Sequence, residues 1–243
     1  MRKMLVFMSL AALTTSASAI VGPSSEGGPQ AAHVLMILKR SAKSASFCTG
    51  VVIAPGVVLT AAHCVTDKAN MKLHYRDAVG QPVLLEVAEI AVHPGYRADA
   101  LKTRVKTIDL ALVKSASPLP FSPAPLDTSG EIVVGTGYLL AGFGLAREGD
   151  GKTGGTLRSG ALEARAPVSK ILLWAKDRGN SGTGACTGDS GAPIFDASGT
   201  QVVAITAWAD GAGKAFCGSL TQGTLVAPQR GWIDAVLARW GKM

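Results

Sequence analysis

The serine at Ser190 stands in the segment Gly188-Asp189-Ser190-Gly191-Ala192-Pro193, directly after a glycine-rich stretch over 179–184. Glycines on both sides let the backbone turn sharply and leave room for a substrate carbonyl, which is what a nucleophilic hydroxyl requires. A hydroxyl is a weak nucleophile until a base removes its proton, and the four candidates, His33, His63, His74 and His93, all precede Ser190. That order excludes the α/β-hydrolase sequence of serine, acid, histidine, and Ala192 stands where a nucleophile elbow would have its last glycine. A subtilisin-like order fails as well, because the first aspartate of the chain is Asp67, downstream of His63. No serine lies three residues before a lysine, so the Ser-x-x-Lys chemistry is absent. The remaining order is histidine, aspartate, serine. His63 suits it, since Thr60-Ala61-Ala62-His63-Cys64 surrounds the ring with small residues and a cysteine that a disulfide could fix. Asp109 is the choice for the acid: it heads Leu110-Ala111-Leu112-Val113, and a carboxylate leading an apolar strand needs a partner such as a histidine N–H. Asp67 and Asp77 lie in polar loops and read as solvated carboxylates.

Three residues so far apart must be positioned by a fold rich in turns. Apolar residues make up 47% and charged residues 17% of 243, with 29 Gly and 12 Pro showing no fixed period. This excludes a collagen-like, coiled-coil or disordered chain. Short β-branched runs at 34–38, 51–53, 57–60, 83–92, 110–113, 138–141, 202–208 and 223–226, punctuated by Gly and Pro, predict an antiparallel sandwich or barrel. A Pro-rich stretch over 118–125 suits an extended crossing segment and divides the chain into halves, 20–125 and 126–243, each large enough for a small barrel. Only the tail reads as helix: Trp232, Ile233, Val236, Leu237 and Trp240 recur at helical spacing after Pro228, and Gly241 would end it.

Residues 1–19 differ in kind. Arg2 and Lys3 precede an apolar run of about ten residues, well under the roughly 20 that span a bilayer, and the stretch ends Ala17-Ser18-Ala19. This is the layout of a secretory signal peptide, so a secreted or periplasmic protein is expected, free of the membrane once the leader is removed. Removal takes away two cations and no acid, and the net charge of +7 becomes +5. That modest, unclustered excess does not resemble a nucleic-acid footprint. In an oxidising compartment Cys48, Cys64, Cys186 and Cys217 suggest two disulfides, although four cysteines allow three pairings; no C-x-x-C occurs. Residues 146–153 nearly match a phosphate-binding loop, but Ala146 replaces its first glycine and a flexible surface loop is the better reading. No metal-like spacing joins the remaining histidines, so neither metal nor cofactor is expected.

With Thr-Ala-Ala-His-Cys at Thr60 to Cys64, Asp-Leu-Ala-Leu at Asp109 to Leu112 and Gly-Asp-Ser-Gly-Ala-Pro at Gly188 to Pro193, the chain resembles a trypsin-like (chymotrypsin-fold) serine protease. Gly142-Phe143-Gly144, His93-Pro94-Gly95-Tyr96 and Ala207-Trp208-Ala209 resemble further family motifs, in family order across the whole chain after the leader. The resemblance implies an all-β protein of two six-stranded antiparallel β-barrels with a C-terminal α-helix. His63 would be general base and acid, Asp109 its orienting carboxylate, and Ser190 the nucleophile that forms an acyl-enzyme. The N–H groups of Gly188 and Ser190 would form the oxyanion hole. Family pairing joins Cys48 to Cys64 and Cys186 to Cys217. Cleavage after Ala19 would expose Ile20-Val21-Gly22, whose new α-ammonium would pair with Asp189. Counting back from Ser190 puts Gly184 at the base of the specificity pocket, with Ala185 beside it and Ala209 and Gly223 as walls. A glycine at the base offers no partner for a buried cation, so cleavage after uncharged apolar side chains, small to medium or aromatic, is expected. Ala207 departs from the family's serine and removes one hydrogen bond to the buried acid. A monomer acting on polypeptide substrates is expected; the competing reading is a secreted binding protein on a protease fold, which would show damage to these three residues.

Overall fold

The computed structural model describes residues 20–41 and 44–241; the leader expected over 1–19 lies outside the described residues. After a short strand β1 (Ser25–Glu26), six strands form a closed antiparallel barrel: β2 (Val34–Arg40), β3 (Ala45–Ala54), β4 (Val57–Thr60), β5 (Met71–Arg76), β6 (Pro82–Val92) and β7 (Ala111–Ser115), in spatial order β2-β3-β4-β7-β6-β5. A single-turn helix, α1 (Ala100–Thr103), interrupts the link from β6 to β7. The second barrel comprises β8 (Gly137–Gly142), β9 (Arg158–Ala164), β10 (Leu172–Lys176), β11 (Pro193–Asp196), β12 (Val202–Gly211) and β13 (Gly218–Leu225). Its order is β9-β10-β13-β12-β11-β8, closed by the pairing of β8 with β9. The chain ends in α2 (Arg230–Gly241).

β-branched and leucine runs build the first barrel because they are buried there: Leu35, Ile37, Val51, Val58, Leu59, Leu73 and Leu112 are all inaccessible to solvent. Each such side chain contributes on the order of 1.5–3 kcal/mol of burial. This core runs on past the barrel wall to Phe195, Ile205, Ile233, Val236 and Trp240, so the first barrel, part of the second and the tail helix share one apolar cluster. Leu140, Leu173, Ile194 and Leu225 form the second barrel's own core, with Ile20 among them.

Each end of the described chain crosses to the other half. Residues 20–26, grouped in the sequence reading with the first half, lie on the second barrel: Val21 bridges to Gly184, β1 pairs with β9, and Ile20 is fully buried. In the opposite direction α2 docks towards the first barrel, where Lys114 Nζ donates to the Trp240 carbonyl at 3.2 Å and Trp232 meets His93 edge-on, with ring centres 4.8 Å apart. Apolar side chains at both ends are satisfied only by that exchange, which clamps the halves together. No helix among the described residues is long and apolar enough to cross a membrane.

Candidate active site

β4 and β7 are neighbours in register, with Thr60 opposite Ala111. The turn that follows β4 (Ala62–Cys64) therefore comes back beside the residue that precedes β7 by two positions. These are His63 and Asp109. The His63 ring places Nδ1 2.6 Å from Asp109 Oδ2, and the His63 backbone N–H donates to Oδ1 at 2.9 Å. Both carboxylate oxygens are thus engaged by one residue. Asp109 is buried, so this pairing offsets a desolvation that would otherwise be costly. Cys64, next to His63, is joined to Cys48 of β3 by a disulfide. Behind the histidine, Lys39 Nζ donates to the His63 carbonyl at 3.4 Å. Burial lowers the Lys39 pKa, and the Asp109 carboxylate opposes that shift.

Ser190 comes from the loop between β10 and β11, and that loop is held from several sides. The Ser190 carbonyl accepts from Thr49 N–H at 2.9 Å; the Thr49 hydroxyl donates to the Gly188 carbonyl at 2.9 Å and accepts from Phe143 N–H at 3.1 Å. Thr49 lies on β3, so one buried residue of the first barrel grips the serine loop of the second. Gly188 has φ +99, and a β-carbon there would stand 2.3 Å from the Phe47 ring; glycine is required on both counts. Among the described residues neither the Gly188 nor the Ser190 N–H donates to a protein acceptor, which leaves both donors available. A disulfide joins Cys186 to Cys217 at the end of the same loop.

Asp189, between those two donors, is fully buried. Its oxygens accept from Gly144 N–H at 2.8 Å and Cys186 N–H at 3.0 Å. No cation pairs with it among the described residues, and burial pushes its pKa up to about 7 against the pull of those two donors. Gly142 and Gly144 make the space: a β-carbon on either would lie 2.2 Å from an Asp189 oxygen.

His63, Asp109 and Ser190 line one cleft of about 580 Å³. No hydrogen bond joins Ser190 to the His63 side chain; such contacts are often long before a substrate is bound. Ala185 and Ala209 line the same cleft, as do Thr206, Ala207 and Thr224. Gly184 and Gly223 are not part of its wall. A β-carbon on Gly223 would face Ala204 and Ile194 in the barrel core, and one on Gly184 would meet Gly218. The sulfurs of Cys48 and Cys64 and the His63 ring come close enough to suggest a metal cluster, yet both sulfurs are tied in the disulfide and supply no thiolate.

The sequence reading missed the supports of this site: Thr49, Lys39, Gly142 and Gly144. Thr49 directly follows Cys48, and the paired glycines flank Phe143, but only the fold shows that they touch the serine loop.

A match to the Trypsin family covers residues 20–233. The chain is 25% identical over 229 residues to the vitellin-degrading protease of Bombyx mori, covering 84% of this chain and 80% of that protein. It is 30% identical over 227 residues to scolexin B of Heliothis virescens, covering 78% and 74% respectively. Among solved structures, an inactivated protease paralogue of the scabies mite superposes with a TM-score of 0.71 at 20% identity, covering 90% of this chain and 99% of that one. The last likeness concerns the fold alone, and such a fold occurs with and without catalysis.

Proposed function

The chain belongs to the trypsin family, and on that premise we propose that it is a secreted serine endopeptidase with His63, Asp109 and Ser190 as its catalytic groups. The observation that carries the reading is the His63–Asp109 pair, bonded through both carboxylate oxygens, at one wall of the cleft that Ser190 also lines. Asp109 accepts a hydrogen bond from His63 Nδ1–H, which keeps the proton on Nδ1 and leaves Nε2 free to act as base. His63 takes the Ser190 proton as Oγ adds to the substrate carbonyl, and the resulting oxyanion is held by the Gly188 and Ser190 N–H groups. His63 then gives the proton to the leaving amine, which departs and leaves Ser190 acylated. Water, deprotonated by His63, adds to the acyl carbon, and His63 returns that proton to Ser190 Oγ as the acyl–oxygen bond breaks and the second product leaves. Each oxyanion donor is worth roughly 3 to 4 kcal/mol in this chemistry.

Removal of residues 1–19 completes the site in this reading. The freed Ile20 α-ammonium becomes the counter-ion of Asp189, and export itself activates the enzyme. A fully buried carboxylate whose partners are two N–H groups, and a buried Ile20 in the same barrel core, support that step. The α-amine, ordinarily near 7.7 to 8.0, is raised by such a pair; its stabilisation is present at lower pH and lost as pH rises through the raised value. The cleft offers no partner for a cationic side chain before the scissile bond, because among the described residues the one carboxylate lining it is Asp109, already committed to His63.

Hydrolysis of a protein substrate by the secreted chain, compared with its Ser190→Ala variant, tests the proposal. Cleavage that disappears with Ser190 is the expected result; a folded, processed chain that binds polypeptides without cutting them would establish the binding-protein reading instead.

A further inference from the structure

Beside the cleft lies a second cavity of about 580 Å³ whose charge is of one sign. Arg97 and Lys106, from the link between β6 and β7, line it together with Lys170, from the link between β9 and β10, and with Pro228 and Gln229 just before α2. No Asp or Glu lines it, and none of the three cations has an ion-pair partner among the described residues. Elsewhere carboxylates stand within reach of the arginines: Arg147 meets Asp150, Arg165 and Arg178 share Glu163, and Arg230 meets Asp234. Residues 97–106 depart from that pattern, with four cations against one acid, Asp99, which lines neither the cavity nor the cleft. The Arg97 guanidinium is held at one end, where Nη1 donates to the Pro94 and Tyr96 carbonyls at 3.3 and 3.0 Å; Nη2 and Nε are left for another acceptor. Arg97, Lys106 and Ile171 also line the catalytic cleft, so the cavity is a side chamber that an occupant of the cleft can reach.

From this arrangement we infer that the side chamber is a recognition site for carboxylate side chains of the polypeptide substrate, and that the enzyme favours bonds flanked by acidic segments. The inference rests on the peptidase reading above and adds a second point of contact, away from the scissile bond. Three cations brought together without an acid repel one another and set up a positive potential that an acidic segment relieves. An apolar segment leaves that repulsion in place, and a basic one increases it. A long polyanion such as a sulfated polysaccharide would need a track of cations along the surface. Here Lys102 and Arg104, which could extend such a track, line neither cavity, while the three that converge share a wall with the cleft. Arg97, Lys106 and Lys170 are exposed, so each contact is individually weak and screened by salt, and selection needs two or three of them together.

The test gives the secreted, processed chain one cleavable peptide core, extended at either end by a short run of Asp and Glu or by the matching run of Asn and Gln. In low salt the acidic run at one end is expected to raise kcat/KM about tenfold over its amide counterpart, chiefly through KM, and about 0.5 M salt should reduce that advantage to about twofold or less. Lys106→Gln combined with Lys170→Gln should reduce it equally in low salt. Arg239→Gln, which removes an exposed cation at the far end of α2, should leave it unchanged. A ratio of two substrates on one preparation does not depend on how much of a variant has folded. Equal cleavage of acidic and amide peptides at both ends, an advantage that survives the double variant, or one that Arg239→Gln lowers as much, overturns the inference. Heparin binding that needs Lys106 and Lys170, with no preference among the peptides, also overturns it and assigns the chamber to a polyanion. A fluorophosphonate that fails to label Ser190, with no peptide cut, overturns the peptidase reading and this inference together, whereas labelling without the acidic preference overturns this inference alone.

Discussion

The two barrels contribute to the cleft in different ways. The first supplies His63 and Asp109 from the ends of directly paired strands, over a core of fully buried Leu59, Leu110 and Leu112, and joins them by two hydrogen bonds. The second supplies Ser190 from a loop whose shape depends on Gly188, on the space left by Gly142 and Gly144, and on a buried carboxylate without a counter-ion. The histidine–aspartate pair is thus assembled by ordinary strand pairing, while in the proposed function the serine loop waits for the ammonium that removal of residues 1–19 would free. Control in this account belongs to the second barrel. The first provides a ready base, and through Thr49 it also fixes the backbone of its partner.

Changes that strike one barrel and spare the other probe that contrast. The largest effect is expected from Ser190→Ala, with peptide hydrolysis falling about 10⁶-fold while thermal unfolding is unchanged. Asp109→Asn should cost about 10⁴-fold in kcat, because the amide no longer holds the productive tautomer of His63; a loss confined to KM would contradict the role given to Asp109. Gly144→Ala places a β-carbon 2.2 Å from Asp189 and so displaces the serine loop alone. An activity loss of about 10²- to 10³-fold is expected. The Asp109-bound proton of His63 should still give its downfield NMR signal, and disappearance of that signal would show that the two halves are not independent.

The mildest effect concerns stability. In the unprocessed chain the Asp189 pKa lies near 7, above its unfolded value near 3.8. The folded state therefore binds the extra proton, and stability falls as pH rises from about 4 to about 7, by at most on the order of 4 kcal/mol. Unfolding by urea across that range should show the slope; Asp189→Asn should flatten it, and processing at Ile20 should remove it by supplying a cation. A slope that survives processing would show that Asp189 has no ammonium partner.

The sequence already exposed most of the first barrel's share of the site. Thr60 to His63 and Asp109 to Val113 are short, contiguous signals whose strands, β4 and β7, are mostly apolar. Other elements were concealed by their own chemistry. β5 interleaves Lys72 and His74 with Met71 and Leu73, β11 opens on Pro193, and β9 carries Arg158, buried beside the Glu26 carboxylate 2.6 Å away. The pocket wall was harder still. Counting from Ser190 finds Gly184, but which side chains line the cleft depends on the β12–β13 register, which slips between Thr206 and Trp208. Local patterns do not encode such a slip, nor the long-range match of Gly142 and Gly144 to Asp189.

The central claim is that His63 activates Ser190 for attack on a carbonyl-like electrophile. Mass spectrometry of the secreted, processed chain after treatment with a fluorophosphonate addresses it directly. One adduct is expected, mapped to the peptide containing Ser190, forming several orders of magnitude more slowly in His63→Ala. A folded chain that remains unmodified, or is modified equally fast without His63, would contradict the account.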